Sequence, residues 1–289
     1  MEIINRIPRM RSVARKLRRD GRKVGFVPTM GALHEGHLSL VRRARAMSDI
    51  VVVSIFVNPI QFGRGEDFDS YPRDLARDAE MVATRGVDYL FAPNIDEVYP
   101  EDFTTFVVVE ELSEKLCGVT RPGHFRGVTT VVMKLLNIIQ PDFAFFGQKD
   151  AQQIIIIKRM VADLCLDTEI AVCPILREPD GLAMSSRNNY LNSDERKAAV
   201  VLHRALTEAR ALYEAGERDA TTILGTIRQL IDGEPLARID YAAIVDTERL
   251  DPIAMIDETQ PALIALAAYV GRTRLIDNIV LNSSIPEED

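Results

Sequence analysis

Two of the four histidines in the chain stand three residues apart, in Met30-Gly31-Ala32-Leu33-His34-Glu35-Gly36-His37. A zinc-protease helix would space its histidines four apart, so this pair does not read as that metal site. Gly36 lets a ligand approach the backbone closely. Backbone N–H groups at a helix start attract anions, and two imidazoles can donate to phosphate oxygens as charge builds on them. The run therefore reads as a phosphate site. The bland alternative is a pair of histidines that cap a helix and do no more.

Three further polar loops carry side chains suited to the same work. Asn58-Pro59-Ile60-Gln61-Phe62-Gly63 offers amides, and Gly147-Gln148-Lys149-Asp150 offers a lysine, a mobile point charge suited to phosphate. Taken alone, Lys149 would read as a solvated charge. Met184-Ser185-Ser186-Arg187 follows a turn at Asp180-Gly181 and puts two hydroxyls beside a cation. No G-x-S-x-G elbow is present, so Ser185 and Ser186 read as hydrogen-bond donors and not as nucleophiles. Arg121-Pro122-Gly123-His124-Phe125-Arg126-Gly127 either binds an anion or orders a lid, with nothing local to decide between them. Neither a G-x-G-x-x-G turn nor a Walker A lysine occurs, so dinucleotide and P-loop chemistry are not supported. Cys117, Cys165 and Cys173 are far apart and odd in number, which suits buried, reduced thiols.

Positioning these loops requires alternating strands and helices. Lys23–Val27, Ile50–Val57, Val87–Phe91, Phe143–Phe146 and Ile170–Leu176 are short, apolar and rich in β-branched residues, and Thr105–Val109 is β-branched as well. Between them, apolar residues recur at helical spacing from Leu40 to Ser48, Tyr71 to Arg85, Val128 to Ile139 and Ala151 to Leu164. Strand–helix–strand units with fully apolar strands predict a parallel sheet covered on both faces, a doubly wound α/β (Rossmann-like) fold. Ligands of such sheets bind outside the carboxyl ends of the strands, and the four polar loops all follow strands there. The pattern changes after Arg177. Ser193 reads as an N-cap of a helix ended by Gly216, a second helix spans Thr222 to Ile231, and strands follow at Ile239–Val245, Leu263–Tyr269 and Leu275–Leu281. The expected organisation is a catalytic domain, 1–177, and a smaller C-terminal α+β domain, 178–289, closing over the site. The tail Pro286–Asp289 is expected to fray.

The whole chain has 289 residues and a net charge of −8, with 47% hydrophobic and 27% charged residues. That balance fits a globular chain and argues against nucleic-acid binding, which leaves a basic footprint. No apolar run approaches the roughly 20 residues of a membrane span. Met1 to Gly21 is basic without the apolar core of a signal peptide, so a cytoplasmic location is expected.

His-x-Gly-His after the first strand with a late Met-Ser-Ser-Arg resembles the nucleotidyl-transfer superfamily. Pro28-Thr29 before the histidine run, Phe56-Val57-Asn58-Pro59-Ile60-Gln61-Phe62, Tyr71-Pro72-Arg73, Arg121-Pro122-Gly123-His124-Phe125, Phe146-Gly147-Gln148-Lys149-Asp150 and Gly181 to Asn188 narrow it. Together they resemble the pantothenate synthetase (pantoate–β-alanine ligase) family over about residues 23 to 191. The resemblance implies an ATP-dependent, two-step ligation through a pantoyl adenylate that releases pyrophosphate and AMP. It implies that Met30 to His37 line ATP, with His34 and His37 on the phosphates and His37 as proton donor. Gly147, Gln148, Lys149 and Asp150 would contact the nucleotide, Leu176 the adenine, and Met184, Ser185, Ser186 and Arg187 the phosphates. Gln61 and Gln153, with Asn58 nearby, would hold pantoate. Mg²⁺ accompanying ATP, no protein metal site, and a homodimer are implied too. Two rivals stand beside this reading: an adenylyltransferase acting on another small acceptor, and a non-catalytic nucleotide-binding module.

Overall fold

The computed structural model describes residues 1–283, so the tail from Pro286 lies outside the described residues. By its contacts the chain forms two units: Met1–Glu114, Arg121–Gly147 and Ile156–Cys173 make the first; Lys115–Thr120, Gln148–Ile155 and Pro174 onward make the second.

The first unit holds a six-stranded sheet: β1 (Glu2–Ile4), β2 (Val24–Thr29), β3 (Ile50–Ile55), β4 (Tyr89–Phe91), β5 (Phe143–Gly147) and β6 (Glu169–Cys173). Their order is β1-β4-β3-β2-β5-β6, with every pairing parallel. Val51, Val52 and Val53 in the middle of β3 are all fully buried. A strand with helices on both faces must be apolar at consecutive positions, and this explains the unbroken valine run. Helices Ile7–Arg19, Glu35–Met47, Leu75–Ala83 and His124–Ile139 belong to this unit. The chain proceeds from β2 to β3 and β4 on one side, then returns to β5 on the other. That reversal puts the topological switch point between β2 and β5, where the crevice of a doubly wound sheet opens at the carboxyl ends.

Local pattern falls short at two places. The edge strand β1 carries no clear pattern in its three residues. Thr105–Val109, for all its β-branching, joins no sheet. The Val107 N–H donates to Thr130 Oγ1 (3.0 Å), and its carbonyl accepts from Thr129 Oγ1 (2.7 Å), so side-chain hydroxyls take the place of a neighbouring strand.

The second unit holds an antiparallel sheet in the order β7 (Ala237–Asp246), β8 (Ala262–Val270), β9 (Thr273–Leu281). Helices Val201–Glu214 and Ala220–Asp232 pack with the sheet around Leu202, Leu206, Ile223, Ile227 and Ile264. The N-cap is Asn192, one residue before the expected Ser193. Its side chain accepts from the N–H groups of Asp194 and Glu195 (both 3.0 Å), while Glu195 accepts from the Asn192 N–H (2.9 Å), a reciprocal capping box. The expected single helix is divided at Val200 into Ser193–Ala199 and Val201–Glu214. Gly216, at φ +101°, does follow its end.

The change of unit after Cys173 falls slightly before the boundary read from composition, and two short segments join the second unit from earlier in the chain. Their anchors are side chains distant in sequence. Lys115 Nζ reaches Asp251 and the Arg249 carbonyl (2.6 Å each), and Asn278 Nδ2 donates to the carbonyls of Gln148 (3.0 Å) and Lys149 (2.9 Å).

Candidate active site

In the first unit the histidine run leaves β2 and enters helix Glu35–Met47 with both rings acting as caps. His34 Nδ1 accepts from the Gly36 N–H (3.2 Å), and His37 Nδ1 accepts from the His34 N–H (3.4 Å), with ring centroids 4.1 Å apart. A nitrogen that accepts carries no proton, so this capping assigns the proton of each neutral ring to Nε2. Each imidazole is thereby fixed as an Nε2–H donor directed away from its cap.

The same geometry corrects one expectation. The N–H groups of Gly31, Ala32, Leu33, His34, Gly36 and His37 all donate within the protein. Most of these backbone donors are already satisfied within the protein, which leaves few of them to offer to an anion. Glu35 is ion-paired with Arg42 and Arg85 (both 3.2 Å), which holds its carboxylate at the surface.

Asp78, on helix Leu75–Ala83, holds this loop in shape. The residue is 2% exposed, and its carboxylate accepts from the N–H groups of Ala32 and Leu33, both at 2.9 Å. Ala32 has φ +50°, a left-handed conformation that a non-glycine residue keeps only under such constraint. At Gly31 (φ +82°) a Cβ would lie 2.9 Å from Asp78 Oδ2, which leaves no room for a side chain. Burial pushes the Asp78 pKa up, against the two N–H bonds that stabilise the anion.

After β3, the turn Pro59–Gln61 carries the amides. Asn58 is 1% exposed and its amide is fully used: Nδ2 donates to Gln61 Oε1 (2.9 Å) and the Gly127 carbonyl (3.0 Å), and Oδ1 accepts from the Tyr99 hydroxyl (2.9 Å). Burial raises the Tyr99 pKa, so the phenol stays a donor. Gln61 Nε2 in turn meets Met30 Sδ at 3.1 Å, a weak acceptor that a better one would displace. A Cβ on Gly127 would come within 2.5 Å of Gln61 Cα, so glycine is required for helix His124–Ile139 to pack on this turn.

The Arg121 loop now has a definite role. Arg121 grips Glu66 through two 2.7 Å hydrogen bonds. Burial opposes the Glu66 charge, but the bonds and charge of Arg121 hold its pKa below the usual value. Arg121 Nη1 also lies 3.0 Å from His124 Nε2. An arginine only donates, so Nδ1 of His124 carries the proton and donates to the Gln61 carbonyl (2.9 Å). This loop orders the amide turn.

In the second unit, Lys149 Nζ donates to the Met184 carbonyl (2.9 Å). Burial lowers its pKa to about 8, with Asp150 and Asp277 opposing and Arg187 and Arg177 assisting. Asp277, 3% exposed, is paired with Arg177 at 2.7 Å. Ser185 Oγ accepts from the Arg187 N–H (3.3 Å), capping the short helix Ser186–Tyr190, and Ser186 is buried. The Leu176 carbonyl accepts from the Met184 N–H (3.0 Å), which ties the adenine candidate to the serine loop. Gln148 Nε2 donates to Asn278 Oδ1 (3.0 Å). Gln153 is half-buried in the first turn of helix Ala151–Asp163, beside Gln152, whose amide bonds the Cys117 N–H (3.0 Å) and the Lys115 carbonyl (2.7 Å).

Sequence reasoning passed over Asp78, Tyr99 and Asn278. Asp78 leaves one trace, an acid four residues before Val82 on the buried face of its helix. Among the described residues no group of three or more His, Cys, Asp or Glu side chains could hold a metal ion, and no helix is long and apolar enough to cross a membrane.

The switch point of a parallel sheet, opening onto two orientation-locked imidazoles and a buried amide turn, defines a doubly wound α/β enzyme of the His-x-Gly-His type. Known proteins narrow that class. The chain belongs to the pantoate-beta-alanine ligase family, whose model matches residues 2–280. A pantothenate synthetase of Heliobacterium modesticaldum is 57% identical, over 97% of this chain and 99% of its own; that of Caldicellulosiruptor saccharolyticus is 54% identical, with the same coverage. A Thermus thermophilus pantothenate synthetase structure superposes with TM-score 0.91 at 45% identity, covering 96% of this chain and 99% of its own. A Francisella tularensis pantoate-beta-alanine ligase, solved with beta-gamma ATP and beta-alanine, gives TM-score 0.79 at 35% identity, with 98% and 99% covered. The chain is accordingly a ligase that forms a carbon–nitrogen bond in pantothenate synthesis.

Proposed function

We propose that the chain joins pantoate to β-alanine in two ATP-dependent steps. A pantoate carboxylate oxygen attacks the α-phosphorus of ATP, the bond to the β-phosphate oxygen breaks, and pyrophosphate leaves. The β-alanine amine then attacks the acyl carbon of the pantoyl adenylate, the C–O bond to AMP breaks, and the amine gives up a proton. The observation that carries this reading is the locked Nε2–H orientation of His34 and His37, in a chain 35% identical to a ligase solved with beta-gamma ATP and beta-alanine. Such chemistry needs positioning and charge neutralisation and no enzyme nucleophile, consistent with Ser185 serving as a cap.

In this reading Met30 to His37 border ATP, and His34 and His37 donate to phosphate oxygens, with His37 protonating the departing pyrophosphate. Lys149, Ser185, Ser186 and Arg187 neutralise the phosphates. Gly147, Gln148 and Asp150 contact the nucleotide, Asp150 at the ribose, and Leu176 serves adenine. Gln61 and Gln153 bind pantoate, while the fully bonded Asn58 acts by orienting Gln61. Mg²⁺ enters on the phosphates of ATP, held by their oxygens and water. A homodimer in the cytoplasm completes the reading, with free thiols at Cys117, Cys165 and Cys173 suiting a reducing compartment.

Mixing ATP and pantoate with and without β-alanine, while following pyrophosphate and AMP separately, tests it. Pyrophosphate is expected without β-alanine, with the adenylate retained, and AMP release only when β-alanine is added. Pyrophosphate release that requires β-alanine would exclude a separate adenylation step.

A further inference from the structure

The edge of the first-unit sheet opposite the candidate site carries its own cleft. It lies between helix Ile7–Arg19 and the amino ends of β3 and β4, at Ile50 and Tyr89, with a volume of about 620 Å³. That volume is within the range of small-molecule sites. Five intervals of β3 separate Ile50 from the carboxyl edge, roughly 17 Å at strand rise.

The lining is cationic. Arg9, Lys16, Arg19 and Arg22 face the cleft with one acid, Asp20. Arg9 is neutralised by Glu2 at 3.0 Å, but Lys16, Arg19 and Arg22 have no acidic partner among the described residues. This is no reflection of a basic protein. Residues 1–23 carry nine Lys and Arg against Glu2 and Asp20, in a chain whose net charge is −8. Like charges gathered around a concavity repel one another and focus a positive field into it, which an anion relieves.

We propose that this cleft binds a small, multiply charged phosphate compound, an inorganic polyphosphate or phosphate ester, at a place separate from the catalytic edge. Arg19 and Arg22 supply planar forks for phosphate oxygens and Lys16 a point charge, while the half-buried Tyr89 ring adds an aromatic wall. The concave shape and the acidic remainder of the chain favour a small ligand over an extended polyanion, which that remainder would repel.

The test is calorimetric titration of the full chain with inorganic tripolyphosphate at low salt, in wild type and in a Lys16→Ala/Arg19→Ala/Arg22→Ala variant. All three side chains are exposed, so the variant is expected to fold and to make pantothenate at the wild-type rate. Wild type is expected to show one more tripolyphosphate site per chain than the variant. The single change Arg22→Ala is expected to weaken that site about three- to tenfold. Equal stoichiometry and affinity in wild type and variant would overturn the proposal. So would a parallel loss of pantothenate formation, which would assign these cations to the reaction itself. Binding of wild type to anionic vesicles or RNA, without tripolyphosphate binding, would also overturn it in favour of a macromolecular surface.

Discussion

At the scale of single residues, a buried carboxylate, Asp78, and a half-buried ammonium, Lys149, are the charges to test. Asp78 presents both carboxylate oxygens to backbone N–H groups, and an amide can accept with only one. Asp78→Asn is expected to leave a buried N–H without a partner, costing about 1–3 kcal/mol of stability. Pantothenate formation should fall more steeply than the folded fraction, because Ala32 loses the constraint on its left-handed backbone. Denaturant melts and kcat measured on the same preparation check this. For Lys149, burial lowers the folded pKa to about 8, while the unfolded side chain titrates near the ordinary lysine value of 10.5. The fold therefore disfavours the ammonium: the penalty is complete below about pH 8, shrinks as pH rises, and is gone above 10.5. ATP affinity should move in the opposite sense, weakening as pH passes about 8 and the cation is lost. Lys149→Arg, which stays charged, is expected to flatten that pH dependence in ATP titrations from neutral pH upward. Gln61→Ala should weaken pantoate binding by roughly one to two decades and leave ATP binding unchanged, since the lost amide pairs cost about 1–3 kcal/mol. Separate calorimetric titrations of the two ligands check it.

At the scale of elements, caps and close approaches do the positioning. The histidine caps set two ring orientations and one helix start with the same bonds, so helix geometry and ring tautomer are inseparable there. Elsewhere a cap is purely structural. Asn192→Ala removes acceptors for two N–H groups in the second unit and is expected to cost about 0.5–2 kcal/mol, with pantothenate formation per folded molecule unchanged. Thermal melts and specific activity measure the two sides. Local pattern reveals most of these elements because apolar spacing and cap chemistry are both short-range. It fails where a side chain substitutes for a neighbouring strand, as Thr129 and Thr130 do at Val107, and where a three-residue edge strand is too short to carry a pattern.

At the scale of the whole molecule, the differing exposure of the three thiols offers a simple check on the architecture. Cys165 is exposed, whereas Cys117 and Cys173 are buried, so one thiol per native chain should react rapidly with a disulfide reagent and all three after denaturation. Rapid reaction of more than one native thiol would contradict the packing of β6, which ends at Cys173, or of the Cys117 segment.

The sequence by itself determines the alternating strands and helices, the parallel sheet and the His-x-Gly-His, amide and serine loops. Each of these is written in consecutive residues, where apolar period, turn chemistry and cap preference act over a few positions. Tertiary structure alone decides which groups complete those loops. Asp78 meets Leu33 across 45 residues, Tyr99 meets Asn58 across 41, and Asn278 meets Gln148 across 130. It also decides that most backbone N–H groups of the histidine run are consumed internally. A buried polar group must find its partner wherever the fold brings one, and no spacing along the chain records that meeting.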